Sequence, residues 1–148
     1  MADAYTVALT LLSARELSES QLRARLKRRK LDEDDIEAAV SRLKGDRTLN
    51  DRRVAVAIAR TESSIKGRGR ARIIQKIRQA GIDGDTADEA VRDVFQDVDE
   101  AELLDRAFER KMRGKTVKDL DEKGRARVMR ALVAQGFSFE AVMKRLRK

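Results

Sequence analysis

The sequence predicts an all-α fold of three tandem three-helix repeats in an elongated, curved array. Three observations lead there. The 148 residues hold no proline and 8 glycines, so little in the chain interrupts a helix. β-branched residues are scattered and never alternate with polar ones over the length of a strand. One segment also recurs. Gly69-Arg-Ala-Arg-Ile-Ile-Gln-Lys-Ile-Arg-Gln-Ala-Gly-Ile82 returns 55 residues later as Gly124-Arg-Ala-Arg-Val-Met-Arg-Ala-Leu-Val-Ala-Gln-Gly-Phe137. A weaker copy, Ser18-Glu-Ser-Gln-Leu-Arg-Ala-Arg-Leu-Lys-Arg-Arg-Lys-Leu31, lies 51 residues upstream of the first.

Five apolar columns align across the copies: Leu22, Ile73 and Val128; Leu26, Ile77 and Leu132; Leu31, Ile82 and Phe137; Ile36, Ala87 and Val142; Val40, Val91 and Leu146. A repeat of about 50 residues follows, with units at 1–47, 48–98 and 99–148. Nine helices of about 10 to 15 residues fill them.

In repeat one the first helix carries Tyr5, Ala8, Leu9, Leu11 and Leu12 behind an Asp3 N-cap. Ser18 and Gln21 form a capping box for the second helix, whose face is Leu22 and Leu26, four residues apart. In repeat two Asn50 caps a helix carrying Val54, Ala55, Ile58 and Ala59, and Ile73 with Ile77 face the second helix's core. In repeat three Asp99 and Glu102 open a helix with Leu103, Leu104, Ala107 and Phe108, and Val128 with Leu132 mark the next. Gly81 and Gly136 end second helices in the left-handed region. Asp32, Asp83 and Ser138 then cap the third helices, and an apolar residue on either side of each cap (Leu31/Ile36, Ile82/Ala87, Phe137/Val142) staples the turn. The connection from Gly114 to Leu120 and the run Gly67-Arg-Gly69 are the expected flexible points.

Composition narrows the function. Cysteine and histidine are both absent, which excludes thiolate chemistry, cysteine–histidine zinc sites and the commonest general base. Serine has no histidine to activate it. Gly67-Arg-Gly69 lacks the third glycine and preceding strand of a dinucleotide site. Asp32 to Asp35 lack the spacing of a calcium loop and read as a solvated helix start. No catalytic residue, metal or cofactor is expected, and the chain is not read as an enzyme. No apolar run spans a membrane, and the N-terminus lacks the basic region of a secretory signal, so a cytoplasmic protein is expected.

The 34 Lys and Arg exceed the 26 Asp and Glu, a net charge of +8, which points to a polyanionic partner. Within the repeats, bases gather on the second helices. Lys66, Arg68, Arg70, Arg72 and Lys76 lie in a stretch without an acid, and Arg125, Arg127 and Arg130 follow with Lys123 in repeat three. Bases in the first turn of a helix oppose its macrodipole, so these residues are the candidate sites for DNA phosphate or an acidic protein.

The chain then resembles a known family. Ala8-Leu-Thr-Leu-Leu-Ser-Ala-Arg15 with Ser18-Glu-Ser-Gln-Leu22 is similar to the opening of the RecX regulatory proteins of bacteria. Leu49-Asn-Asp-Arg-Arg-Val-Ala55 resembles their link into the second repeat. Lys66-Gly67, Arg72-Ile73 and Gly81-Ile82 resemble the central repeat, and Gln135-Gly-Phe-Ser138 with Val142 the last. The resemblance implies three tandem three-helix repeats and a modulator, usually an inhibitor, of RecA. Such a protein lies in the groove of the RecA–DNA filament, damps strand exchange, ATP hydrolysis and repressor cleavage, and also binds single- or double-stranded DNA. It is expected to be a monomer that acts in DNA repair, recombination and the SOS response. Two departures stand out. Lys30 occupies a position where the family has glycine, so the second helix of repeat one is expected to end without a left-handed cap. Thr48, Leu49 and Val54 replace aromatic residues, which leaves Phe137 and Phe139, both read as core. The alternatives are a stand-alone DNA-binding or nucleoid-associated protein, and a scaffold for an acidic protein.

Overall fold

The computed structural model describes residues 3–147, and among them there are nine α-helices and no strand. They are α1 (Ala4–Ala14), α2 (Glu19–Arg28), α3 (Glu33–Gly45), α4 (Asp51–Arg60), α5 (Arg70–Gln79), α6 (Gly84–Val94), α7 (Glu100–Met112), α8 (Glu122–Ala134) and α9 (Phe139–Leu146). Their lengths run from 8 to 13 residues, so α9 is shorter than the periodicity suggests. A single π-helical turn, Thr61–Ile65, prolongs α4, and a 3₁₀ turn, Val117–Asp119, precedes α8.

The helix ends follow from local chemistry. Asp3, Asn50 and Asp83 each accept a hydrogen bond from the backbone N–H three residues on, and Ser18 and Gln21 form both bonds of the capping box. Asp32 takes the N-cap position without a side-chain bond, so only its extended backbone starts α3. The turns after α2, α5 and α8 are alike. Lys30 donates its N–H to the Lys27 carbonyl, Gly81 to Arg78 and Gly136 to Val133, and all three have positive φ. The expectation that α2 lacks a left-handed cap is therefore wrong: Lys30 adopts φ 61° without glycine's freedom. Both expected flexible points are tied down as well. Lys66, Gly67 and Arg68 donate their N–H groups to carbonyls of the π turn, while Thr116 donates both its N–H and its hydroxyl to the Asp119 carboxylate (2.8 and 3.0 Å).

Fourteen of the fifteen side chains in the five apolar columns are buried, with Leu31 half-buried. They form two cores rather than three. Repeat one builds the first on Leu17, Leu22, Leu26, Ile36, Val40 and Leu43, joined by Leu49 from the link into repeat two. Repeats two and three share one continuous core, from Val54 through Ile77, Val91 and Phe108 to Leu146. Two residues read as apolar-face positions turn outward: Leu9 and, far more, Phe139, which is 57% exposed. Residue 139 is the first of α9, and the staple places Phe137 in the core instead.

The repeats join by one device used twice. At the N-cap position of α2 the Ser18 hydroxyl donates to the Ala80 carbonyl at the end of α5. At the equivalent position of α5 the Gly69 N–H donates to the Gln135 carbonyl at the end of α8 (2.9 Å). Next to each bond, the first amide of the second helix meets a carboxylate from the first helical residue of the following repeat. Glu19 N–H donates to Asp51 (2.7 Å) and Arg70 N–H to Glu100 (3.0 Å). The negative end of α8 thus abuts the positive end of α5, and α5 abuts α2 likewise, so opposite ends of the helix dipoles meet.

Candidate nucleic-acid and partner interface

The candidate residues sit on α5 and α8, and the joint decides what each can do. The positive end of α5 is already occupied from within the chain. Besides the amide bond to Glu100, the Arg70 guanidinium donates to the same carboxylate (3.1 Å) and lies 4.8 Å from the Phe95 ring centroid. The argument that an external anion must answer the bases of this first turn therefore fails for Arg70: Glu100 is that anion, thirty residues away in sequence. Arg68 precedes the Gly69 N-cap and lies outside the helix.

In repeat three the argument fails for another reason. α8 begins at Glu122 behind an Asp121 cap that accepts from Gly124 N–H (2.7 Å), so Arg125 and Arg127 are its fourth and sixth residues. Its first residue is the acid Glu122, as the dipole prefers, with Lys123 beside it.

What remains is unpaired positive charge. Lys66 bridges to the buried carboxylate of Glu62 (3.0 Å), so it and Arg70 are the candidates already paired within the chain. Among the described residues, Arg68, Arg72, Lys76, Arg125, Arg127 and Arg130 have no acidic partner. Arg72 reaches only the side-chain oxygen of Gln75 (3.2 Å), and the Arg68 Nε is buried without a hydrogen-bond partner. Arg72 and Lys76 stand one turn apart on α5, and Lys76 borders a groove of about 460 Å³ between repeats one and two, floored by Glu62, Ile58 and Ala80. Arg127 and Arg130 share the exposed side of α8, about 60° apart at 100° per residue, whereas Arg125 lies about 160° from Arg127. The eight predicted residues are thus not one surface. Arg25, Lys27, Arg28, Arg29 and Lys30, at the far end of α2, also lack acidic partners, and there the helix dipole favours cations.

Repeat one shows what a satisfied surface looks like. Arg23 bridges Glu19 (3.0 Å) and Glu37 (2.6 Å), and Lys44 bridges Glu19 (2.9 Å). Burial pushes the Glu19 carboxyl up, but hydrogen bonds from Lys44 and Arg23 outweigh it and hold it below its ordinary range. The Arg23 hydrogen bond keeps Glu37 low in the same way. Against that background, guanidinium groups left free on exposed helix faces form a surface suited to phosphate or carboxylate.

The class is therefore a tandem three-helix-repeat protein with unneutralised arginines on its second helices. Residues 4–43 match the family model of the RecX first three-helix domain, and residues 50–91 that of the second. Relatives bearing the name regulatory protein RecX include one from Syntrophotalea carbinolica, 34% identical over 92% of this chain and 89% of the relative. Another, from Pseudomonas entomophila, is 32% identical over 91% of this chain and 84% of the relative. The crystal structure of RecX from Lactobacillus salivarius superposes with a TM-score of 0.84 at 20% identity, covering 97% of this chain and 92% of that one. A second crystal structure, titled regulatory protein RecX, gives 0.83 at 25% identity over 98% of this chain and 70% of that one. The chain belongs to the RecX family, a family of regulators rather than enzymes. Among the described residues no helix is long and apolar enough to cross a membrane.

Proposed function

We propose that this chain regulates RecA by binding the RecA–DNA filament, and that it inhibits strand exchange, ATP hydrolysis and coprotease activity there. It acts as a cytoplasmic monomer built of three repeats, 1–47, 48–98 and 99–148. Membership in the RecX family carries this reading, and the acid-free arginines support it. Arg68, Arg72, Lys76, Arg127 and Arg130 meet phosphate; Lys66 and Arg70, each already paired with a carboxylate, contribute less. Each phosphate contact releases condensed counterions, so binding to bare duplex DNA weakens steeply with salt.

RecA's DNA-dependent ATPase, titrated with this protein, supplies the test, together with gel shifts on bare DNA and on preformed filaments. Substoichiometric inhibition and tighter binding to filaments than to bare DNA are expected. Equal affinity for both, with the ATPase untouched, would favour the stand-alone DNA-binding protein. Reversing Arg127 and Arg130 to Glu should flatten the log–log salt slope by about 0.9 per lost contact. Arg70→Glu should instead disturb the joint with Glu100 and lower thermal stability.

A further inference from the structure

The seam between the second and third helices is built differently in repeat three. In repeat one this seam is an ion-pair lattice: Arg23 on α2 bridges Glu37 on α3 and Glu19 on its own helix, with Glu33 exposed nearby. Shifting the register by 106 residues puts Met129, Met143, Arg125 and Phe139 in the places of Arg23, Glu37, Glu19 and Glu33. Repeat two keeps Asp88 and Gly84 at the last helix's two positions. On the second helix repeat two carries Ile74 and Arg70 at the equivalent positions, so it is on the third helix that the other two copies manage with charged or small residues, where repeat three has Phe139 and Met143. Repeat three nevertheless carries a groove of about 270 Å³ lined by Ala126, Met129, Phe139, Met143 and Leu146. Phe139 is 57% exposed, and Val133, one turn after Met129, is 41% exposed.

The lining of the groove also holds two cations. Arg125 and Arg147 border it, and neither has an acidic partner among the described residues. Arg125 holds the position equivalent to Arg70, which in repeat two meets the Glu100 carboxylate of the following repeat. Among the described residues Arg125 has no carboxylate partner and donates only to the Val117 carbonyl (3.4 Å). Thioether and aliphatic walls accept a bulky apolar side chain of variable shape, and the two guanidinium groups accept carboxylates. We propose that the α8–α9 groove docks an acidic protein segment carrying one large apolar side chain, which fills the groove while its carboxylates take Arg125 and Arg147. Identifying that segment as part of the filament rests on the RecA-regulator reading; the groove's chemistry does not.

Only four methionines occur in the chain, and Met112 is buried in the shared core. Methyl-¹³C methionine spectra therefore report on the groove directly. The probe is an acetylated peptide Asp-Glu-Leu-Phe-Asp-Glu, with Lys-Lys-Leu-Phe-Lys-Lys and a single-stranded oligonucleotide as comparisons. The Met129 and Met143 signals should move saturably with the acidic peptide and stay in place with the other two, while Met112 does not move. No shift, equal shifts with both peptides, shifts with the oligonucleotide, or shifts that depend on protein concentration alone would each overturn the proposal. The last outcome would make the groove a self-association surface. A second arm uses Phe139→Gln with Met143→Gln, which leaves the net charge unchanged. Filament binding should fall tenfold or more, with bare-DNA affinity within twofold and helicity unchanged. Undiminished filament binding would refute the groove as the filament contact. If wild-type protein ignores filaments altogether, the RecA reading falls and the peptide arm alone decides the groove.

Discussion

Lys30 holds a left-handed backbone conformation in which its Cβ crowds the neighbouring carbonyl, at a cost of about 1–2 kcal/mol for an L-residue. Its equivalents Gly81 and Gly136 hold the same conformation without that cost. Lys30→Gly should therefore raise stability by about 1 kcal/mol, read as a higher urea midpoint at unchanged m value. An unchanged midpoint would mean that contacts of the lysine stem offset the strain. Gly136 shows the opposite sensitivity. A Cβ there would lie 2.6 Å from the Arg72 Cβ and backbone nitrogen and from the Gly69 carbonyl oxygen, on top of φ 107°. Gly136→Ala should cost more than about 2 kcal/mol, because backbone on the facing side cannot rotate away. Gly114→Ala, with positive φ but nothing within 4 Å, should cost only about 1 kcal/mol and serves as the control. Equal losses at both positions would deny the close approach at Gly136.

Helices α2, α5 and α8 differ in how their starts are satisfied, and that difference separates what could be read in the sequence from what could not. The five apolar columns, the N-caps and two of the three left-handed turns were legible, because each depends on residue type at short range. The joint was not. Its acceptors, the Ala80 and Gln135 carbonyls, are backbone groups that every residue carries, and Glu100 reaches Arg70 only through the fold. For the same reason the bases of α5 looked unanswered. Phe139 looked like core because composition does not distinguish the first helical residue from the one two positions earlier; comparison with Glu33 and Gly84 at the equivalent positions was the available signal. The joint also makes a prediction about α2. The Ser18 side chain is fully buried and does two things: it caps Gln21 N–H and donates to the Ala80 carbonyl. Ser18→Ala should cost about 2–3 kcal/mol, since a buried carbonyl loses its partner along with the cap. Ser138→Ala, a cap alone, should cost about 1 kcal/mol. If the two losses match in thermal melts, the Ser18–Ala80 bond contributes nothing to joining the repeats.

Across the whole molecule, charge and shape follow from the repeat plan. The accessible surface is 9632 Å², against about 7,600 Å² for a compact monomer of this mass, which agrees with an elongated rather than spherical molecule; small-angle scattering should show it. The pH response is set by carboxylates alone, since no histidine is present. Backbone hydrogen bonds from Thr6, Thr86 and Thr116 hold the Asp3, Asp83 and Asp119 carboxyls below the ordinary aspartate range, and cation contacts hold Glu19, against its burial, and Glu37 below the ordinary glutamate range. Groups with lowered folded-state values stabilise the fold above their unfolded values and lose that effect as pH falls through the folded ones. The melting temperature should therefore stay level from about pH 8 to pH 5.5 and fall below about pH 4.5. A decline that began above pH 6 would contradict this set of groups.

The division into two cores makes the last prediction. Repeat one buries its apolar side chains among themselves and touches repeat two mainly through the Ser18, Glu19–Asp51 and Arg53–Glu16 contacts. Repeats two and three, by contrast, cannot separate without exposing the core they share. In a linear array, stability is a sum of unit and interface contributions, so a unit with its own core and a polar joint can open alone. Amides of α1 to α3 should exchange hydrogen through a common opening that takes less free energy than the opening of α4 to α6 and α8. Leu26→Ala, at a fully buried site of the first core, should lower protection in α1 to α3 by about 2–5 kcal/mol. Protection in α5, α6 and α8 should change by less than about 0.5 kcal/mol. Ile77→Ala, in the shared core, should instead lower protection in repeats two and three together. If either variant lowers protection equally in all nine helices, the polar joint couples the repeats as tightly as the shared core does, and the chain unfolds as one unit.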